Sequence, residues 1–465
     1  MSEDNEYPYR FERTAMIGSL RERHGDAEPG TDSGEQVRVA GRVMTVRGHG
    51  KVAFADLMDS SGRLQLFAQL DVLGEDGMEG FSKVGVGDIV GVEGEVAMTR
   101  RGELSIKVAA LTMLARCQRS MPEKWHGMSD VEVRYRQRYL DLLSNEVPRD
   151  VLVARSKANQ AIRRFFDERG FLEVETPLLQ PIAGGAVARP FITHHNTLDM
   201  DLYLRVAPEL YLKRLLIGGA EKVYELNRSF RNEGVSTRHN PEFTMLEAYE
   251  AYVDYNDTMT LVESLVIAIA EAVGNDTLKS PFRRMSMFEA IKDATDRDLE
   301  ATWREGNGEA IRAQAEELGV RLEKSWSAGK ALFEIYEMRV EKELVEPTFI
   351  MGMPKDVSPL AKDHRAIPGF TEHADLVIAG VEIAPIYSEL NDPAEQRRRF
   401  EQQTAARTEG DDEAAVADED FLEALAYGMP PAGGFGLGID RLLMYLLDLP
   451  SIREVIMFPT LKPEQ

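Results

Sequence analysis

The chain is expected to fold as an α+β protein of more than one domain, a small β-barrel followed by a larger domain in which helices alternate with strands. Three observations predict this. At 465 residues the chain has room for two or three domains. Between Val37 and Leu114 it reads as short β-rich runs, and from Asp150 onward helical and strand patterns alternate.

Residues 1–36 are charged, carry Gly25, Pro29, Gly30 and Gly34, and show no sustained period, so they are expected to be weakly structured. The β-rich runs that follow are VRVAGRVMTV, VAFADLMD, RLQLFAQL, DIVGVEGEVAM and LSIKVAALTML, with a helix-capable gap around Glu75–Val84. Five strands with an insertion between the third and fourth is the pattern of an OB-fold barrel, placed at 37–116; an unspecialised small β-domain is the bland alternative. Strand parity puts Phe54 on one face with Asp56, and Arg63, Gln65 and Phe67 together on a face of the next strand. Aromatics beside Arg and Gln are odd for a core and suit single-stranded RNA, whose bases stack on rings.

A linker at 117–149 follows. Its stretch HGMSDVEVRYRQRYLDLLSN (His126–Asn145) reads as a helix, with Ser129 as N-cap and Glu132 three residues on. The rest, 150–465, forms the large domain, and 285–346 looks like a helical insertion within it.

Composition excludes several classes. One cysteine, Cys117, permits neither an intramolecular disulfide nor a Cys-rich zinc site, and it points to a reducing compartment, the cytoplasm. The N-terminal MSEDNEYPYRFER is unlike a signal peptide, and the longest apolar run, Leu265–Ala270, is far too short to span a bilayer. No G-x-x-x-x-G-K-[ST] occurs, so a nucleotide site would not be of the P-loop kind. The net charge of −24 argues against a basic nucleic-acid footprint unless acids are segregated, as in Glu409–Asp420, leaving basic clusters such as Arg397, Arg398 and Arg399.

Two stretches carry the chemistry. FRNEGVSTRHNPEF (Phe230–Phe243) sets Arg231, Arg238, His239, Glu233 and Glu242 around a turn bracketed by aromatics, able to offer guanidinium forks to phosphate and a ring to a base. GGFGLGIDRLLM (Gly433–Met444) is a Gly-rich strand running into an apolar helix, with Asp440 and Arg441 at the junction.

These stretches resemble motifs 2 and 3 of class II aminoacyl-tRNA synthetases, and GFLEVETPLL (Gly170–Leu179) resembles motif 1, whose Pro177 lies at the dimer interface in that family. RPFITHHNTLDMDLYLRVAPELYLKRLL (Arg189–Leu216) and SELNDP (Ser388–Pro393) narrow the resemblance to the lysyl-tRNA synthetases, from Val37 onward. The resemblance implies a homodimer with a class II catalytic domain, its sheet mostly antiparallel and flanked by helices. It implies ATP-dependent attachment of lysine to tRNA(Lys) through a lysyl-adenylate, with Mg2+ as cofactor and the anticodon read by the N-terminal barrel. By resemblance Arg231 holds the α-phosphate and the substrate carboxylate, and Arg441 holds the γ-phosphate; these are the catalytic residues. Phe243 and Arg441 flank adenine, Glu233 meets the adenine amine, His239 reaches the phosphate tail, and Asn240 and Glu382 complete the ATP site. The lysine site comprises Gly185 and Glu209 at the α-amino group, Glu247, Tyr249 and Glu389 at the ε-ammonium, Tyr387 on the methylenes, and Arg231. Asp375 and Glu382 match the metal ligands, and Arg47, Phe54 and Gln65 the anticodon contacts.

The chain departs from the family twice. Asp375 stands where many members have Glu, shortening the reach to the metal by a methylene. Pro385, Ile386 and Tyr387 replace an Asn-Gly-Phe pattern, removing a side-chain donor to the backbone end of lysine and altering lysine affinity. An aspartyl or asparaginyl pocket would need cations where this one has glutamates. A non-catalytic RNA-binding or regulatory paralogue would be marked by loss of Arg231 or Arg441, and both are present.

Overall fold

A computed structural model of the chain describes residues 7–48, 50–121, 128–186, 188–324, 326–408 and 417–463. Its backbone divides into two units, Met1–Gly127 and Met128–Gln465.

In the first unit helix α1 (Ile17–His24) precedes five strands, β1 (Asp32–Arg47), β2 (Val52–Asp59), β3 (Gly62–Gln69), β4 (Ile89–Met98) and β5 (Leu104–Ala115), with helix α2 (Leu70–Ser82) between the third and fourth. The strands close a barrel in the order β1-β2-β3-β5-β4, because alternate residues such as Val39, Ala55, Leu57, Leu66, Val92 and Ile106 turn inward and leave water entirely. The segment expected to be weakly structured differs. Ile17 and Leu20 are fully buried in the barrel core, and Asp59 Oδ2 accepts the Ile17 amide at 2.9 Å. Two apolar residues three apart make α1 worth forming only against a core, and propensity alone does not show it. Residues 1–6 lie outside the described part.

The second unit begins with α3 (Val131–Arg136), α4 (Arg138–Ser144) and α5 (Val147–Asp167). The single helix expected over His126–Asn145 is thus two, and its first residues, 126 and 127, lie outside the described part. Asp130, not Ser129, is the cap: its Oδ1 accepts the amides of Glu132 and Val133 at 2.9 and 3.1 Å. Gln137 leaves helical geometry so that Arg134 and Arg138 can both reach the buried Asp141, at 2.9 and 2.5 Å.

Then come β6 (Leu172–Glu173), β7 (Leu179–Gln180), β8 (Ile192–His195), β9 (Met200–Leu204), α6 (Glu209–Ile217), β10 (Lys222–Phe230), β11 (Glu242–Ala251) and α7 (Tyr255–Val273). The segment expected as a helical insertion is entered through β12 (Arg283–Ser286). It carries α8 (Met287–Thr295), α9 (Leu299–Arg304), α10 (Gly308–Glu317) and α11 (Ala328–Arg339) around their own core of Phe288, Ile291, Leu299, Ile311 and Leu332. The chain returns through β13 (Thr348–Pro354), β14 (Phe370–Ile378), β15 (Val381–Ser388), α12 (Pro393–Thr408), α13 (Glu419–Ala426), β16 (Ala432–Gly438), α14 (Ile439–Leu446) and α15 (Ile452–Val455).

Eight strands form one sheet in the order β12-β13-β14-β15-β16-β11-β10-β6. Only the outermost pairs, β12 with β13 and β6 with β10, are parallel; every pair between them is antiparallel. α5 and α7 pack on this sheet through Ile162, Phe166, Val262 and Val266 against Tyr224, Leu246 and Phe435. That apolar face leaves the other face of β10, β11, β16 and β15 for polar side chains.

The expected basic cluster is not a free patch. Arg397 pairs with Glu419 at 2.8 Å and Arg398 with Glu395 at 2.6 Å, while the buried Arg399 binds Glu395, Asp363 and the Ala361 carbonyl. In an acidic chain, neighbouring carboxylates claim these cations first. Of the acidic stretch Glu409–Asp420, residues 409–416 lie outside the described part; Asp418 and Asp420 pair with Arg214.

Candidate active site

β10 and β11 form a hairpin whose register sets Phe230 opposite Glu242 and Ser229 opposite Phe243. Its loop is folded on itself. The Arg231 amide donates to the Pro241 carbonyl at 2.9 Å, the Asn240 side-chain amide to the Glu242 carbonyl at 2.6 Å, and Ser236 Oγ lies 2.8 Å from His239 Nδ1. The Arg231 guanidinium is left over the Phe243 ring, 5.2 Å from its centroid. It makes no ion pair among the described residues, and its Nε is buried without a hydrogen-bond partner. Burial holds this guanidinium below its ordinary pKa despite the nearby charges of Glu233 and Glu382. A buried donor fork with nothing to donate to is an anion site in waiting.

Arg441 arrives on the first turn of α14, with its Nη1 donating to the Glu382 carbonyl at 3.1 Å and Nη2 lying 3.2 Å from His239 Nε2. Asp440 fixes the junction. Its Oδ2 accepts the Thr244 amide at 2.7 Å and its Oδ1 meets Arg155 Nη1 at 2.5 Å, so the start of α14 is tied to both β11 and α5. Nothing in the local sequence reveals Arg155 as the partner, because 285 residues separate the two.

The glycines of β16 leave room at the strand surface. The structure shows what actually comes close to Gly434: a Cβ there would collide with Glu389 Oε1 and with the Tyr249 ring. Tyr249 donates to Glu247 Oε2 at 3.1 Å. Burial, then the charge of Glu209, pushes Glu247 well above the usual carboxylate range. Glu389 is fully buried and its Oε1 has no hydrogen-bond partner. Gly185, at φ +91°, would bring a Cβ within 3.2 Å of Glu209 Cβ, which places it beside that carboxylate. Tyr387 sits opposite Gly434 on β15, its ring 4.4 Å from that of His373.

The residues expected at the two ends of an amino acid are therefore in one pocket, and Glu209 and Glu389 are joined by a cation that sequence reasoning missed. Lys213 Nζ lies 2.6 Å from Glu209 Oε1 and 2.5 Å from Glu389 Oε2. The signal was available in part: Glu209 and Lys213 are four apart at the start of a helix.

Asp375 on β14 faces Pro385 on β15, and Glu382 lies two register steps away. Burial and the charge of Asp375 both push Glu382 up from its ordinary pKa. Two carboxylates that repel each other, with no ion pair at either beyond His373 among the described residues, suit a divalent cation that takes one or two carboxylates and completes its shell with phosphates and water. The described residues contain no group of three His, Cys, Asp or Glu side chains arranged around a metal. His373 was also missed. Its Nε2 lies 2.9 Å from Asp375 Oδ1 and its Nδ1 2.6 Å from Ser358 Oγ, so the shorter carboxylate is held from one side. Parity could have found it, since His373 and Asp375 share a strand face.

In the barrel unit Arg47, Phe54 and Phe67 stand opposite one another across β1, β2 and β3, followed by Lys107 on β5. The Phe54 and Phe67 rings stack at 5.0 Å and 3°. Arg47 pairs with Asp56 at 3.1 Å, and Gln65 accepts from Ser105 at 3.0 Å. This half-exposed row places an aromatic pair between two cations on the outer face of the barrel.

Comparisons with known proteins cover both units. A family model described as "tRNA synthetases class II (D, K and N)" matches residues 130–462, and one described as "OB-fold nucleic acid binding domain" matches residues 37–114. A lysine–tRNA ligase of Moorella thermoacetica is 52% identical over 465 aligned residues, covering 98% of this chain and 94% of the relative. Those of Syntrophomonas wolfei and Bacillus subtilis are 50% and 49% identical, over 98% and 97% of the chain and 92% and 93% of the relatives.

Proposed function

The chain belongs to the class II tRNA synthetases of the D, K and N group, and from that membership we infer that it activates lysine with ATP and transfers it to tRNA. The observation that carries the choice of amino acid is the buried carboxylate pocket. Glu389 Oε1 has no partner, Glu247 and Glu209 stand by, and an ammonium-bearing side chain is the chemistry that satisfies them. An aspartate or asparagine side chain would add no cation to these three acids, which share only Lys213.

The first step joins the lysine carboxylate to the α-phosphorus of ATP, breaks the bond to the β-phosphate oxygen and releases pyrophosphate. The nucleophile is already an anion, so no base is required, and the work is to bring anions together and stabilise the phosphoryl charge. Arg231 is the group for this: it makes no ion pair among the described residues, its Nε is buried without a hydrogen-bond partner, and its guanidinium lies over the ring of Phe243. Arg441, with His239 beside it, takes the far phosphates, and Asp440 holds Arg441 in place. Phe243 stacks on adenine, with Glu233 and Asn240 in the same loop. Asp375 and Glu382 would hold Mg2+, whose charge offsets that of the phosphate oxygens. Glu209 and Gly185 take the α-amino group, Glu247, Tyr249 and Glu389 the ε-ammonium, and Tyr387 the methylenes. The second step passes the lysyl group to a ribose hydroxyl at the tRNA 3′ end and releases AMP. Arg47, Phe54 and Gln65, with Phe67 stacked behind, meet the anticodon bases.

A homodimer accords with the exposed apolar residues Leu172, Leu178, Leu179 and Ile192, which adjoin the exposed Pro177. A hydrodynamic mass of one chain would exclude it. A cytoplasmic setting accords with this activity; among the described residues no helix is long and apolar enough to cross a membrane.

Amino-acid-dependent ATP–pyrophosphate exchange with lysine, ornithine, arginine, aspartate and asparagine tests the reading without RNA. Exchange with lysine is expected. Exchange with aspartate alone would overturn the pocket assignment, and none with any amino acid would restore the non-catalytic reading.

A further inference from the structure

Lys213 is a buried cation that no step above uses. Its side chain is 0% exposed, and its ammonium lies between Glu209 and Glu389 at 2.6 and 2.5 Å. An ammonium buried alone is strongly disfavoured, so its position is decided by these two acids. Each acid gives Lys213 one oxygen and keeps the other. Neither oxygen of Glu389 has a hydrogen bond of good geometry; Oε2 has the Lys213 ion pair, while Oε1 has no cation and faces Gly434 and the Tyr249 ring.

Charge counting gives this arrangement a purpose. Among the described residues the pocket holds the carboxylates of Glu209, Glu247 and Glu389 and the buried cation Lys213; Arg205 and Glu225, which also act on Glu247, pair with each other at 2.6 Å and cancel in the count. Lysine brings an α-ammonium and an ε-ammonium, while its carboxylate belongs to Arg231. Three acids less one cation match two ammonium groups. Without Lys213 one acid is left over, and in a buried site a surplus carboxylate takes up a proton.

We propose that Lys213 is a specificity-determining positioning residue, which neutralises one of the three pocket acids and turns Glu389 Oε1 toward the ε-ammonium of the substrate. The proposal rests on the lysine-activation reading. Glu389 is faced by Glu209 and Lys213 from α6, by Glu247 and Tyr249 from β11 and by Tyr387 from β15, while β16 presents only the uncharged Gly434. Burial raises Glu389, Lys213 lowers it and Glu209 raises it, and with Lys213 in place the balance stands at about 7. Removing Lys213 leaves burial and Glu209 unopposed, so Glu389 is protonated at neutral pH and lost as a partner for ammonium.

Wild-type exchange with lysine comes first, and its absence overturns the underlying reading rather than this inference. Given that activity, Lys213→Met and Lys213→Gln are expected to raise the lysine KM at least about tenfold at pH 7, the loss of one charge-assisted hydrogen bond. The ATP KM should stay within roughly twofold, since Lys213 is not among the groups placed at ATP. The wild-type lysine KM should fall as pH rises through about 7, where Glu389 ionises, and in the variants that fall should be displaced to higher pH, because Lys213 no longer lowers Glu389. A lysine KM and pH profile like those of the wild type, or equal losses for lysine and ATP, would overturn the proposal. Should neither variant fold by circular dichroism, calorimetry of the wild type with lysine at pH 8, above the Glu389 value, in two buffers of different ionisation enthalpy decides it. Little proton release is expected because Lys213 already holds Glu389 ionised; release of about one proton per lysine would mean that it does not.

Discussion

Arg441 Nη2 lies 3.2 Å from His239 Nε2, so the helix after the glycine strand and the loop of the hairpin are joined through one hydrogen bond. For the imidazole to accept it, the ring must be neutral with its proton on Nδ1, toward Ser236. Burial first, then Arg441, holds the His239 pKa below 6.5. A depressed pKa means stability present above the unfolded value and lost as pH falls through the folded value. The wild type is therefore expected to lose thermal stability on the acid side of about pH 6.5, where His239 charges against Arg441 and Arg231. In His239→Ala that acid loss should vanish, and the ATP KM at pH 7 should be about 10–100-fold higher, the worth of a hydrogen bond to a charged group. Thermal melts across the pH range check the first and steady-state exchange the second.

Arg231→Ala should lower exchange by about 10²–10³-fold through kcat, as expected for removing one preorganised donor from a developing charge. Arg231→Lys should recover little, because a point charge does not replace a planar fork over the Phe243 ring. Equal activity of the two arginine-lacking variants and the wild type would remove Arg231 from the chemistry.

Gly434→Ala puts a methyl group where Glu389 Oε1 and the Tyr249 ring already are. The expected outcome is a loss of about 1–3 kcal/mol in stability from overpacking. Lysine KM should rise while ATP KM holds, since the displaced groups belong to the amino-acid pocket. Urea midpoints and substrate-resolved exchange measure the two effects separately, and a rise in ATP KM alone would contradict the placement.

Phe54→Ala removes one member of the stacked ring pair on the barrel. It should weaken tRNA by about 1–3 kcal/mol, one base stack, and leave ATP–pyrophosphate exchange unchanged. Aminoacylation against tRNA concentration tests this; an effect on exchange would mean that the ring acts on folding.

Much of the architecture was legible in the sequence because its signals are local. Alternation along VAFADLMD and RLQLFAQL places Phe54 and Phe67 on the outside of the barrel, and the structure keeps them there. Apolar periodicity and glycine placement likewise mark the hairpin and the β16–α14 junction. Where capping depended on geometry the reading slipped: Asp130 displaced Ser129, and α1 formed only because Ile17 and Leu20 found the barrel core.

The tertiary structure decided the pairings. Residue type pointed to Arg231, whereas Glu247 and Glu389 were marked only by the resemblance to the lysyl-tRNA synthetases. Which carboxylate meets which cation was not written in the spacing, because burial and long-range approach set it. Arg397–Arg399 read as a basic cluster, yet their charges are spent on Glu419, Glu395 and Asp363. In the sequence Lys213 is one cation four residues after Glu209. It becomes part of the pocket only because β15 brings Glu389 to it across 176 residues of chain, inside a medium where an unpaired charge is not tolerated.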